Sequence, residues 1–164
     1  MNHIEIEKYR PCTEALRFRM QYQTFKEAWA ECPRGDWMLW IAQRVGVDLR
    51  TLTRAKALCA LTVRHLMKDE RSVRACEVAL KFADGEATRE ELDAAAYAAA
   101  DVAADVYAAD AAAAYAVAYA AYAVADADAT ASYAVAARIK SQQQTADICR
   151  EHLTSAVFEK LNLS

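Results

Sequence analysis

The chain has 164 residues, 55% of them hydrophobic, with 3 Gly, 2 Pro and a formal net charge of −3. That length is enough for one ordinary core. Glycines stand only at 35, 46 and 85, which excludes the GxGxxG and GxxxxGK[ST] phosphate loops. No segment alternates apolar and polar residues over strand length, so a sheet is excluded as well and an all-α fold is predicted.

Met1–Arg10 is charged throughout, and no secretory leader is expected. Pro11 fits a first-turn position ahead of a helix over Cys12–Gln21, where its missing N–H is harmless. Thr24 and Glu27 have capping-box spacing for a helix over Phe25–Cys32: the hydroxyl accepts a free backbone N–H and the carboxylate returns the bond. Pro33, Arg34 and Gly35 then break the chain. Asp36 is expected to cap Trp37–Val45, with Gly46 at its end. Asp48 is expected to cap a longer helix from Leu49 to about Met67, and Asp69 another from Glu70 to about Ala83, ended by Gly85. Val73, Cys76, Val78, Leu80 and Phe82 recur at helical steps, as do Leu58, Leu61, Val63 and Leu66. Trp29, Trp37 and Trp40 bracket the Pro/Gly turn and are expected to anchor the N-terminal core, since large rings dominate burial.

Thr88 and Glu91 form a second capping box, and from Glu90 to Gln144 there is neither Gly nor Pro. More than half of Ala94–Ala137 is alanine, the strongest helix former, interrupted mainly by Tyr, Val and Asp. Asp recurs every few residues, each costing about 2.5 kcal/mol or more inside a bilayer, so a membrane span is excluded. Wound as one helix at about 100° per residue, Tyr97, Tyr115, Tyr119, Tyr122 and Tyr133 share one direction. Asp93, Asp101 and Asp126 fall in the same sector, Asp105 lies at its edge, and Val102, Val106, Val117, Val124 and Val135 lie opposite. An unbroken helix of ~50 residues would be about 75 Å long. Either a long rod projects or the stretch folds back once or twice, with the break expected first at Asp126–Ser132 and second at Asp110. After it, Ile139, Ala146, Ile148, Cys149, Leu153, Val157 and Leu161 are expected to dock a last helix on the N-terminal bundle, with Gln142–Gln144 exposed. The whole reads as one all-α helical domain over 1–164, short helices filling 1–87 and long alanine-rich helices 88–164.

Charge divides the same way. Residues 1–89 hold 16 Lys/Arg against 12 Asp/Glu, whereas residues 90–164 hold 4 against 11. No Lys or Arg stands between Arg89 and Arg138. A nucleic-acid backbone is a poor partner for that half; a basic protein suits it. Asp93, Asp101, Asp105 and Asp126, with Tyr97, Tyr115, Tyr119 and Tyr122, are the predicted partner-binding residues. Carboxylates steer a basic partner, and tyrosine supplies rigid contact area. The rings have a second reading, as the largest groups in an alanine helix packing inward while the valines face a neighbour.

Catalytic chemistry is not expected. The best metal pair is Cys149 and His152, three apart; Cys59 and His65 are six apart and off-phase, and no CxxC occurs. Cys12, Cys32, Cys59, Cys76 and Cys149 follow no disulfide spacing and read as reduced core thiols of a cytoplasmic protein. Arg34-Gly35-Asp36 reads as a turn followed by a helix cap. Catalytic residues, cofactor and metal are all predicted to be none.

The tracts CPRGDWMLWIA (Cys32–Ala42), ACEVALKFADGEATREELDAAAYAAA (Ala75–Ala100) and QQQTADICREHL (Gln142–Leu153) stand in that order around the Ala/Tyr/Asp stretch. In this arrangement the chain resembles the alanine-rich immunity protein family of bacterial polymorphic toxin systems, whose members also occur in phage genomes. The resemblance implies a helical cytoplasmic protein that neutralises a partner by binding, and it transfers no catalytic residue. The family's tract carries more mixed charge; a wholly acidic one leaves the partner's identity open. An immunity-type inhibitor of a toxin or nuclease is therefore expected. A phage-encoded anti-defence inhibitor of a host nuclease, anti-CRISPR-like, is the alternative, and an enzyme or metal-binding protein the alternative of another class. A homodimer is a further arrangement open to the chain; direct nucleic-acid and membrane contacts are not expected.

Overall fold

The computed structural model describes residues 6–67, 69–104 and 131–163. These form α1 (Thr13–Arg19), α2 (Phe25–Glu31), α3 (Gly35–Arg44), α4 (Leu49–Leu61), α5 (Glu70–Asp84), α6 (Arg89–Ala104) and α7 (Ala131–Lys160), with short 3₁₀ turns at Ile6–Tyr9 and Arg64–Leu66. The described residues contain no strand. The fold is all-α.

Local chemistry starts most helices where the sequence places them. Thr24 Oγ1 accepts from the Glu27 N–H at 3.1 Å while the Glu27 carboxylate accepts from the Thr24 N–H at 2.9 Å, a complete capping box. Thr88 and Glu91 repeat it ahead of α6, at 3.1 and 2.7 Å. Asp48 caps α4 through the Thr51 N–H at 3.0 Å, and Asp69 caps α5 through the Arg71 N–H at 2.8 Å. Gly85 closes α5 at φ +84, a left-handed conformation that glycine adopts without a Cβ penalty.

Three boundaries differ from expectation. Pro11 precedes the cap instead of entering the first turn, and Cys12 Sγ accepts from the Ala15 N–H at 3.5 Å. α3 begins at Gly35, so Asp36 lies inside its first turn and does not cap it. Its carboxylate is taken by the Arg34 guanidinium, at 2.8 and 2.6 Å. α4 stops at Leu61, short of Met67, because the Thr62 hydroxyl donates to the Cys59 carbonyl at 2.7 Å and the backbone tightens there.

Packing centres on α7. Ala146, Cys149, Leu153 and Val157 lie on one face and are fully buried against Met38, Leu39, Ala42, Leu52, Ala55 and Cys59. α3 crosses α7 so closely that a Cβ on Gly35 would stand 2.5 Å from Thr145 Oγ1 and 2.6 Å from its carbonyl carbon. Arg150 ties the end of α2 to this core by donating to the carbonyls of Ala30 and Cys32 at 3.2 and 2.7 Å, groups that the helix leaves unpaired. Trp29 is buried, its indole N–H donating to Thr154 Oγ1 at 2.8 Å, whereas Trp37 and Trp40 sit half-buried against the cluster. Ile148 and Leu161 are likewise partly buried there. Ile139 is the exception to the expected docking face. It stands 49% exposed, two helical turns before Ala146 and short of the α3 crossing.

α5 and α6 continue from α4 as successive antiparallel hairpins. Arg50 donates to the Phe82 carbonyl at 2.6 Å and lies over its ring, and Arg54 pairs with Asp84. Phe82 is the buried residue of α5; Val73, Cys76, Val78 and Leu80 are half-buried. No helix among the described residues is long and apolar enough to cross a membrane.

Candidate functional site

α6 carries the start of the acidic tract. Its first turn is fixed by the Thr88–Glu91 box, which spends one carboxylate on helix geometry and leaves Glu90 exposed. Glutamates there also suit the positive end of the helix dipole. One turn further on, Asp93 is half-exposed and pairs with Arg89 at 2.9 Å in an i,i+4 contact. Tyr97, one turn beyond Asp93, is 76% exposed, the most exposed large hydrophobic side chain among the described residues. Its ring offers contact area with a polar hydroxyl at the tip.

Of the eight predicted partner-binding residues, the structure therefore brings Asp93 and Tyr97 to one exposed stretch of α6. Asp101 lies in the last turn of the same helix, its side chain outside the described residues. Asp105, Tyr115, Tyr119, Tyr122 and Asp126 also lie outside the described residues, as do the expected break at Asp110 and most of that at Asp126–Ser132; Ser132 falls within α7.

The α5–α6 hairpin adds a feature that charge counting along the chain misses. Arg71, Arg74 and Lys81 of α5 line a groove of about 440 Å³ with Glu86, Glu91 and the alanines Ala94, Ala95 and Ala98. The base of the acidic helix is thus flanked by cations, and with Arg89 on Asp93 its first carboxylates are partly compensated. The signal was present in the sequence as the i,i+4 spacing of Arg89 and Asp93 and as the basic residues at 71, 74 and 81. Their meeting across the hairpin required the fold.

The cysteines divide by environment. Cys32, Cys59 and Cys149 are buried; Cys76 is half-buried; Cys12 is exposed, which corrects its expected place in the core, because its sulfur serves as the α1 cap. The Cys149 thiol donates to the Gly35 carbonyl at 3.6 Å and Cys59 donates to the Thr145 carbonyl at 3.7 Å. The neighbouring Cys59 thiol and then burial push the Cys149 thiol far up, and burial raises Cys32 and Cys76. His152 lies on the half-buried side of α7 beside Glu151, apart from the Cys149 thiol's own contact. Among the described residues no three His, Cys, Asp or Glu side chains are grouped to hold a metal ion.

No protein-family model, curated protein or solved structure matches this chain.

Proposed function

We propose that this chain is an immunity-type inhibitor, a non-catalytic cytoplasmic protein that binds a basic toxin or nuclease and occludes its working surface with the acidic helical half. The observation that carries the reading is Tyr97, a ring 76% exposed on a helix that opens a run of eight carboxylates uninterrupted by Lys or Arg. Tyrosine anchors contribute contact area at low entropic cost, and a one-signed surface accelerates encounter with an oppositely charged partner. The order of the tracts quoted above, similar to that of the alanine-rich immunity proteins, supports the same reading. Asp93, paired with Arg89, is the compensated member of the predicted acidic set, so the reading rests mainly on Asp101, Asp105 and Asp126.

The test is affinity capture from the native host, followed by titration of the purified partner. The parent chain should retain one basic protein and abolish its toxic or nuclease activity at equimolar ratio. Replacing Asp101, Asp105 and Asp126 by Lys should weaken binding at least tenfold with helicity unchanged, and binding should fall steeply with salt. Unchanged affinity in the triple variant rejects the acidic face; a saturated partner that stays active rejects inhibition.

A further inference from the structure

A second region of the molecule holds a cavity with unusual chemistry. Between the Ile6–Tyr9 turn, α1, α2 and α3 lies a space of about 570 Å³, inside the ~300–1,000 Å³ range of small-molecule sites. Phe18, Trp37, Trp40 and Met38 are part of its apolar wall, and Arg10, Arg19 and Arg34 are its cations.

Arg19 and Arg34 differ in what satisfies them. Arg34 forks onto Asp36 at 2.8 and 2.6 Å, approaches Glu14 at 4.0 Å and lies over the Trp37 ring at 4.6 Å. Its charge is compensated. Arg19 is only 9% exposed, and its Nη1 donates to the Tyr22 carbonyl at 2.8 Å. Its Nε is buried without an acceptor, and none of the ion pairs among the described residues includes it. A guanidinium out of water costs several kcal/mol unless a counter-charge and further hydrogen bonds offset it. A largely buried guanidinium with no counter-charge among the described residues lines the cavity, which points to an anion supplied from outside the fold.

The lining narrows the class. A cation is disfavoured by Arg19 itself, despite the aromatic rings. A dianion such as phosphate is disfavoured because Glu14 and Asp36 line the same cavity and occupy Arg34. A single carboxylate on an apolar ring fits both halves: the acid on Arg19 in a charge-assisted bond, the ring among Phe18, Trp37 and Trp40. We infer that this cavity binds a small aromatic monocarboxylate. The site shares no residue with α6, so it stands or falls independently of the partner-binding surface.

The experiment titrates the full-length chain with 3-phenylpropionate, its neutral amide 3-phenylpropionamide, and inorganic phosphate. Tryptophan emission and the indole N–H resonances of Trp37 and Trp40 are the readouts. The acid should bind saturably and move both indole signals, the amide should bind at least tenfold more weakly, and phosphate should not move them. Arg19→Gln should remove the preference for acid over amide. If that variant does not fold, the acid–amide comparison on the parent chain still decides. No saturable binding of the acid, equal affinity for acid and amide, or binding of phosphate in its place would each overturn the inference, as would a folded Arg19→Gln chain that keeps the preference.

Discussion

Along the inner face of residues 145–157 of α7, burial is complete: Cys149, Leu153 and Val157 are without solvent exposure, and Met38 and Cys59 meet them from α3 and α4. Along α5 and α6 it is partial, with Phe82 fully covered and Val73, Leu80 and Leu92 only half so. Both regions are amphipathic helix by sequence. Among the described residues, the difference lies in which helices lie against each. α7 is enclosed by α3 and α4, whereas α5 and α6 extend from α4 as consecutive hairpins, each resting on the one before. Among the described residues, the enclosed end is the firmer of the two.

Truncation in the two regions should break or confirm that contrast. Leu153→Ala opens a void in the enclosed core and should cost about 2–5 kcal/mol in chemical denaturation, whereas half-buried Leu80→Ala on α5 should cost about 1 kcal/mol. Equal losses would erase the distinction. Gly35→Ala tests the closest helix crossing from the other direction. Its new methyl meets Thr145, backbone included, so α3 and α7 must separate, for a loss of about 1–3 kcal/mol. A neutral result would mean that the crossing relaxes freely.

Asp48→Ala removes the cap of α4, the helix that joins the two regions, and should cost about 1 kcal/mol near neutral pH. The Thr51 N–H, and after it the Thr51 hydroxyl, hold the Asp48 carboxyl below its ordinary value. Its stabilisation is therefore fully present above the unfolded carboxylate pKa of about 4, and is lost as pH falls through the lower folded value. Parent and variant stabilities should converge in acid. The smallest effect belongs to the outer helix: Tyr97→Ala should change stability by less than about 0.5 kcal/mol while weakening the proposed partner complex. A large fall in melting temperature would instead make the ring part of a core.

Much of this fold was legible because much of it is local. Thr24 with Glu27, Thr88 with Glu91, and the caps Asp48 and Asp69 each act within three residues, and each bonds as its spacing predicts. What was not legible depends on partners far along the chain. Gly35 reads as a breaker, but its use is to admit Thr145. Arg150 satisfies carbonyls at the end of α2, more than a hundred residues away in the chain. Ile139 is expected on the docking face, yet stops short of the α3 crossing. At the candidate site, the acidic run follows from composition, whereas helical phase left Tyr97 open between an inward and an outward place, and the structure exposes it. The basic rim across the α5–α6 groove follows from neither, nor does Arg19 in its cavity, since both arise from tertiary contact.

Amide hydrogen exchange of the free chain and of its complex with the captured partner addresses division of the molecule into anchored core and displayed acidic helix. Residues 145–157 should exchange slowest in the free chain and stay unchanged on binding, while new protection appears over residues 89–104. Protection gained on α1–α3 with residues 89–104 unaffected, or a free chain in which 145–157 exchange as fast as α6, would contradict it.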